Sequence, residues 1–376
     1  MTGNPWQLEE GVLSRKDRLY LTAADSLRAG MALAAMGDGK TFGMGYAPSP
    51  AAKALILAAE SGILQNSGNI WDFGDGFESR FCYCLSRSGA DYGIFVDFSG
   101  ELHLYTRGGL PMAPEGEQKF LLLLNLKEQR PVFAGDWGHG VEMENLRELY
   151  RIELIKAAET TLTGMTACVK CANPLIQKLM EETLAALGCR VREGGIILQI
   201  SADGRQVSAY ETVRDDVHTE RILCLVCQDL FRRGQDAAVP ASSPRMLDRM
   251  ATEMGRKVFR YADGIPSVQD RKARNLSLRQ PFLRDGLMLG LRLLSILRRN
   301  RCTLAQLERQ LPDYTVITRK ITMSRPIQEG AVFPFAAGEI RLRPIRGGKT
   351  ALLMAESRSM EAAAELCRFW EESQQP

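Results

Sequence analysis

The stretch IFVDFSGELHLY, residues 94–105, sets one serine, Ser99, between two alternating apolar runs. A serine hydroxyl becomes a nucleophile when its surroundings activate it. The Ser99–Gly100 pair is equally the chemistry of a tight turn joining two strands. A two-residue turn would set Phe98 opposite Glu101 and Val96 opposite His103, and the turn chemistry favours this hairpin. Asp97 shares a strand face with Ser99, and its charge repels any anion there unless a cation lies between them.

A second group with chemical potential lies near the C-terminus, where Arg343, Arg346, Gly347, Gly348 and Lys349 surround the run RPIRGGK. Cations and glycine N–H groups in that pattern can hold an anion such as phosphate. The same run also suits a basic hairpin turn facing water. Cys168/Cys171 and Cys224/Cys227 have C-x-x-C spacing. A zinc site needs two such pairs a short loop apart, and here about fifty residues intervene. Each pair sits in an apolar run, so all four read as packed thiols. His103, His139 and His218 stand in no motif and read as structural.

The elements that must position these residues repeat. FGMGYAPSPAAKALILAAESG, ACVKCANPLIQKLMEETLAALG and AAVPASSPRMLDRMATEMG each open with a short strand. A capping residue and a proline follow: Ser49–Pro50, Asn173–Pro174 and Ser243–Pro244. An apolar helix comes next, ended by Gly62, Gly188 or Gly255, and then a strand: GNIWDF, CRVRE or RKVFRY. This predicts three β-α-β units. TACVKC reads as a buried strand, and ILCLVCQDLF as a helix with both thiols on its inner face. The tail differs. EIRLRPI and TALLMAES read as two strands around RGGK, and SMEAAAELCRFWEE as an amphipathic helix capped by Ser359, with Glu361 in its first turn. The expected fold is α/β: three similar α/β domains with mixed sheets, then a small C-terminal α+β domain. The expected segments are 1–147, 148–236, 237–318 and 319–376. The piece MAPEGEQ, 112–118, is the most linker-like. The apolar run FLLLLNL, 120–126, could serve packing or contact.

Composition narrows the function classes. A chain of 376 residues with 45% apolar and 25% charged residues describes a globular protein of several domains. Its 48 basic and 45 acidic residues nearly balance, giving net charge +3, so nucleic-acid and membrane-surface binding are not expected. Arg298, Arg299 and Arg301 suit a helix C-terminus. No stretch has the length of a membrane span or signal peptide, and the cysteines suit a reducing, cytoplasmic setting.

The order of motifs resembles the α-D-phosphohexomutase superfamily, which includes phosphomannomutase and phosphoglucomutase. GADYGIFV is similar to the strand before that family's T-A-S-H-N-P serine loop. SADGRQ is similar to its D-P-D-G-D-R metal loop, RDGLMLGLRLLSIL to its D-G-I-x-x-A-L helix, and GEIRLRPIRGGKTALLMAES to its phosphate loop. The resemblance implies the family's fold and its reaction, phosphoryl transfer between O1 and O6 of a hexose by way of a phosphoserine. It places Ser99 at that serine, with Gly100 where the family has histidine. It puts Ser201, Asp203 and Arg205 at the three metal-binding aspartates, and Gln206 at the arginine that follows. Asn275, Ser277 and Arg279 fall on the sugar loop, G-E-x-S-G-H. In the phosphate loop Arg343 remains, while Ile345 and Gly347 replace serine and threonine. GYAPSP lacks the family's first-domain arginine, though Ser49 remains.

One carboxylate is a poor magnesium site, and a guanidinium cannot lose its proton to become a ligand. Two readings of Arg205 follow. It fills the cation's place and pairs with Asp203 or another carboxylate, or ADGR is a solvated turn. No cofactor is expected unless the loop at Asp203 still takes Mg2+. The leading expectation is a pseudoenzyme that keeps the fold and binds a phosphosugar or another small anion, or acts in regulation or assembly. The alternatives are an active phosphosugar mutase using Ser99 with Asp203 and Asp97, and a structural subunit that forms a homodimer or pairs with a true mutase.

Overall fold

The structure is a computed structural model that describes residues 5–9, 11–17, 20–36, 41–112, 114–126, 134–211, 216–261, 270–322, 331–345 and 350–373. The chain divides into two compact units. One draws on Met1–Asp216 and Pro281–Arg299, the other on Val217–Ala262, Pro266–Gln280 and Asn300–Pro376.

The first unit opens with a hairpin, β1 (Trp6–Glu9) and β2 (Val12–Arg15), and helix α1 (Ala23–Ala34). There follow β3 (Thr41–Tyr46), α2 (Pro50–Leu64), β4 (Asn69–Asp75) and α3 (Glu78–Ser88). Strands β5 (Tyr92–Val96), β6 (Leu102–Thr106) and β7 (Leu110–Pro111) come next, then α4 (Pro114–Leu124), β8 (Gly140–Glu142) and α5 (Glu144–Ala157). The sheet runs β1-β2-β6-β5-β3-β4-β8, with β7 beside β6. It is mixed: β3 is parallel to β4 and β5, while β6 is antiparallel to β5 and β2. A second mixed sheet, ordered β10-β9-β11-β12, contains β9 (Thr166–Cys171), β10 (Arg190–Val191), β11 (Ile196–Ile200) and β12 (Val207–Tyr210), with α6 (Pro174–Ala186) between its first two strands.

The second unit has α7 (Thr219–Arg232), β13 (Ala237–Pro240), α8 (Met246–Glu253), β14 (Val258–Tyr261) and α9 (Arg271–Arg279). Helix α10 (Gly286–Asn300) belongs to the first unit up to Arg299. The second unit resumes with α11 (Leu304–Glu308), then β15 (Thr315–Thr322), β16 (Ala331–Phe335), β17 (Gly338–Ile345), β18 (Thr350–Ser357) and α12 (Met360–Ser373). Strands β13 and β14 are parallel, and β15-β18-β17-β16 form an antiparallel sheet. Its apolar face, with Ile340, Leu342, Leu353 and Ala355, packs with Leu366, Cys367 and Trp370 of α12. The fold is therefore α/β with mixed sheets, closed by a small α+β element.

Local signals account for several helix starts. Ser49 Oγ accepts the Ala52 N–H at 3.1 Å, and Asn173 Oδ1 the Leu175 N–H at 3.0 Å. Ser359 Oγ accepts from Ala362 at 3.2 Å. Gly188 and Gly255 take positive φ, 81° and 64°, just past their helices. Cys224 and Cys227 are buried on α7, while Cys168 and Cys171 are half-buried on β9, so TACVKC is less enclosed than expected.

Three expectations are corrected. Gly62 lies inside α2, and a Cβ there would collide with the Leu27 carbonyl of α1; it permits close helix contact instead of ending the helix. MAPEGEQ is not a linker, because α4 starts at Pro114 with Glu115 and Glu117 in its first turn. Within FLLLLNL, Phe120 and Leu124 are buried and Leu122 and Leu126 are exposed. Ser243 does not cap α8. The helix starts at Met246, and the Glu356 carboxylate accepts the N–H groups of Arg245 and Met246 at 2.7 and 2.8 Å. Arg341 donates to the carbonyls of Ala241, Ser242 and Ser243 and to Glu356. Arg260 donates to the carbonyls of Pro240, Ala241, Ser243 and Pro244. Two guanidinium groups thus supply a donor to every carbonyl from Pro240 to Pro244.

Candidate functional site

Loop 201–206, between β11 and β12, is gripped through its backbone. The Ser201 carbonyl accepts from Cys171 Sγ at 3.5 Å and the Ala202 carbonyl from Asn173 Nδ2 at 3.0 Å. The Asp203 carbonyl accepts the Ser79 N–H, and that of Gly204 the Gly286 N–H, both at 3.0 Å. Ser79 and Gly286 sit in the first turns of α3 and α10, where N–H groups have no partner within the helix. Gly204 has φ of 77°, and a Cβ there would lie 2.6 Å from Ser79 Oγ, so glycine is required twice over. Within the loop, Asp203 Oδ1 accepts the Ser201 hydroxyl and, at 3.0 Å, the Arg205 N–H. Gln206 N–H donates to Ser201 Oγ at 2.9 Å.

The Arg205 guanidinium leaves this loop and meets Glu78 Oε1 at 3.0 Å, keeping 43% of its side chain exposed. Glu78 opens α3, where the helix dipole favours a carboxylate. It is buried, accepts the Tyr105 hydroxyl, and lies 3.5 Å from His103 Nδ1. His103 Nε2 is in turn 3.5 Å from Asp97 Oδ2. The other Asp97 oxygen accepts the exposed Ser99 hydroxyl at 2.7 Å and the Glu101 N–H at 2.9 Å. An unbroken line of polar contacts thus runs from Ser99 through Asp97, His103 and Glu78 to Arg205.

The hairpin that carries Ser99 differs from the expected two-residue turn. Phe95 pairs with His103 and Val96 with Leu102. Asp97 N–H donates to the Glu101 carbonyl at 3.2 Å, leaving a three-residue loop closed by Gly100 at φ 81°. A left-handed glycine after a turn is the usual closure of such loops, and the Asp97 carboxylate fixes it by holding the Glu101 N–H. The one-residue slip puts Asp97, Glu101, His103 and Tyr105 on one face, toward Glu78.

The electrostatics follow from this geometry. Burial alone would raise Glu78, but the His103 hydrogen bond and the Arg205 charge outweigh it and hold Glu78 near 2. Burial alone would lower His103, but the Asp97 and Glu78 carboxylates, each 3.5 Å from a ring nitrogen, hold it at about 9. Asp97 lies below its ordinary value: the His103 ring beside it and the hydrogen bond from Ser99 prevail over burial. Arg205 is raised, the Glu78 charge prevailing over burial.

Among the described residues, Asp97, Glu101 and His103 are the one group of three ligand-type side chains with donor atoms within 4.8 Å of one another. An imidazole in that set suits a transition metal better than Mg2+. Loop 201–206 does not fit Mg2+, which asks for about six oxygen ligands. Its only carboxylate, Asp203, already holds two donors on one oxygen, and Arg205 brings a permanent positive charge.

The remaining candidates lie elsewhere. Asn275, Ser277 and Arg279 stand on α9, in the second unit, where a loop was expected. Ser277 is buried and donates to the Arg274 carbonyl at 2.8 Å, while Asn275 and Arg279 are exposed. Arg343 is on β17 opposite Leu352. Arg346, Gly347, Gly348 and Lys349 lie outside the described residues. His139 and His218 are exposed. Sequence reasoning missed Glu78, Tyr105 and the part His103 plays. The two-residue alternation of Glu101, His103 and Tyr105 was the available signal for the β6 face. Nothing local marks Glu78, whose partners lie 25 or more residues away: Tyr105 is 27 and Arg205 127 positions on.

No protein-family model and no curated protein matches the sequence. Solved structures do match. A phosphoglucomutase/phosphomannomutase family protein from Burkholderia thailandensis aligns with TM-score 0.69 over 94% of this chain and 93% of its own, at 15% identity. A Thermus thermophilus protein described as a candidate phosphomannomutase aligns with TM-score 0.66 over 94% and 95%, also at 15% identity. An N-acetylglucosamine-phosphate mutase, described as a member of the alpha-D-phosphohexomutase superfamily and solved in its substrate complex, gives 0.50 over 100% and 97% at 10% identity. The chain has the α-D-phosphohexomutase fold that its motif order implies.

Proposed function

We propose that this protein uses the phosphohexomutase fold to bind a hexose phosphate or a similar small anion and does not carry out the mutase reaction. Ser99 carries this reading. Phosphoryl transfer needs a free hydroxyl placed in line and a cation that neutralises the transferring group. The Ser99 hydroxyl instead donates to Asp97 at 2.7 Å inside a closed three-residue turn. A phosphate there would lose that bond and face the Asp97 carboxylate. The anion would be held by Arg343, Arg346, Gly347, Gly348 and Lys349, with Asn275, Ser277 and Arg279 toward the sugar. In this reading the segments 1–147, 148–236, 237–318 and 319–376 correspond to the family's four domains, and the protein works in the cytoplasm.

The test combines intact-mass measurement with a coupled assay on glucose 1-phosphate and mannose 1-phosphate. The expected result is an unmodified mass and no turnover above background, with phosphate or glucose 1-phosphate raising the unfolding midpoint and Arg343→Ala removing that rise. Turnover abolished by Ser99→Ala would overturn the reading. It would favour instead an active mutase that draws on the Asp97–Glu101–His103 group beside Ser99.

A further inference from the structure

We infer that Arg205 is a built-in replacement for the divalent ion of related folds, so that this centre is complete without a metal. Three observations carry it. First, Arg205 stands where the resemblance in motif order puts the third metal-binding aspartate, and its guanidinium spans from loop 201–206 to Glu78 Oε1 at 3.0 Å. A cation at the junction of that loop and the α3 N-terminus is thus supplied by the chain. Second, the position is fixed before any ligand arrives. The carbonyls of Ser201, Ala202, Asp203 and Gly204 each have a donor, and the Arg205 N–H is held by Asp203 Oδ1 at 3.0 Å. Third, the recipient carboxylate is saturated. Glu78 takes Arg205, the Tyr105 hydroxyl and His103, and is buried, so an added dication would have to displace a charge that cannot deprotonate.

The inference shares with the functional reading only the absence of a metal from loop 201–206, and either can fail alone. The experiment is a calorimetric titration of the full chain with Mg2+ and with Mn2+, beside thermal unfolding in about 10 mM Mg2+. Wild type is expected to show no binding heat and no change in midpoint. Arg205→Asp would bring a third carboxylate to Glu78 and Asp203, a set suited to Mg2+. It is expected to bind Mg2+ and gain about 3 °C or more in midpoint on its addition. Arg205→Gln, which removes the charge with less strain on Glu78, is expected to show the same response more weakly. Arg205→Lys, which keeps it, is expected to remain blind to the metal. Wild-type Mg2+ binding that Asp203→Asn abolishes would overturn the inference. So would wild-type Mn2+ binding that His103→Ala abolishes, or an Arg205→Gln protein that folds and ignores Mg2+. The titration contains no sugar phosphate, so the two readings separate. Mutase turnover in the presence of EDTA defeats the functional reading and leaves this one standing, and metal binding without turnover does the reverse.

Discussion

Two of the buried ionic centres among the described residues share a composition and differ in wiring. In the second unit, Arg341 and Glu356 are 4% and 1% exposed, and beyond their own ion pair and Glu339 beside Arg341 their polar contacts are with the backbone of residues 241–246. In the first unit, Glu78 meets side chains: Arg205, His103 and Tyr105. That line ends in an exposed serine at one end and a half-exposed guanidinium at the other. Charges directed at backbone replace hydrogen bonds that a loop would otherwise lack, and they hold structure. Charges directed at one another and open to solvent at both ends are within reach of a ligand.

Glu356→Ala carries the largest expected effect. It strips a buried guanidinium of its partner and the α8 N-terminus of its acceptor, and should lower stability by about 3–5 kcal/mol in urea unfolding. A loss under about 1 kcal/mol would make the two centres alike. The next effect is on pH. Glu78, at about 2 when folded against 4.5 ordinarily, contributes stability that is full above pH 4.5 and is lost as pH falls toward 2. His103, at about 9 against 6.5, contributes stability that is full below pH 6.5 and is lost as pH rises toward 9. Comparing Glu78→Gln with wild type isolates these limbs from other groups, such as Asp285, which burial raises to about 6. The variant should lose the acid limb and shrink the alkaline one, and NMR titration should show His103 moved down. An unchanged His103 titration would remove Glu78 from the centre. Ser99→Ala should change stability least, by about 0.5 kcal/mol or less in the same urea measurement, because the residue is exposed. A loss above about 1 kcal/mol would mean that the Ser99–Asp97 bond is a main support of the turn.

What could be read in advance divides along a similar line. The caps at Ser49 and Asn173 act within three residues, so the first two strand–helix–strand units are visible in the sequence. The third is visible as strands and a helix, yet its cap is Glu356, 111 residues beyond Arg245, and Ser243 fits the local rule well enough to mislead. Gly62 looks like a terminator because a helix-ending glycine and a helix-crossing glycine are the same letter; only the Leu27 carbonyl on α1 tells them apart. Two-residue and three-residue hairpins both end in glycine here, and choosing wrongly by one residue moves His103 to the opposite face. The position of Arg205 could be taken from motif order. Its partner could not, since Glu78 reaches it only through folding of a chain segment 127 residues long.

The donors at the four carbonyls of residues 201–204 come from a thiol, a buried amide and two helix ends, none of which depends on the side chains at Ser201, Asp203 or Arg205. The placement of that loop is therefore set from outside it, while the Ser201 and Asp203 side chains brace its turn from within. Evolution, or a protein engineer, can change the charge carried at position 205 on that braced frame, trading a guanidinium for a carboxylate while the surrounding architecture stays put.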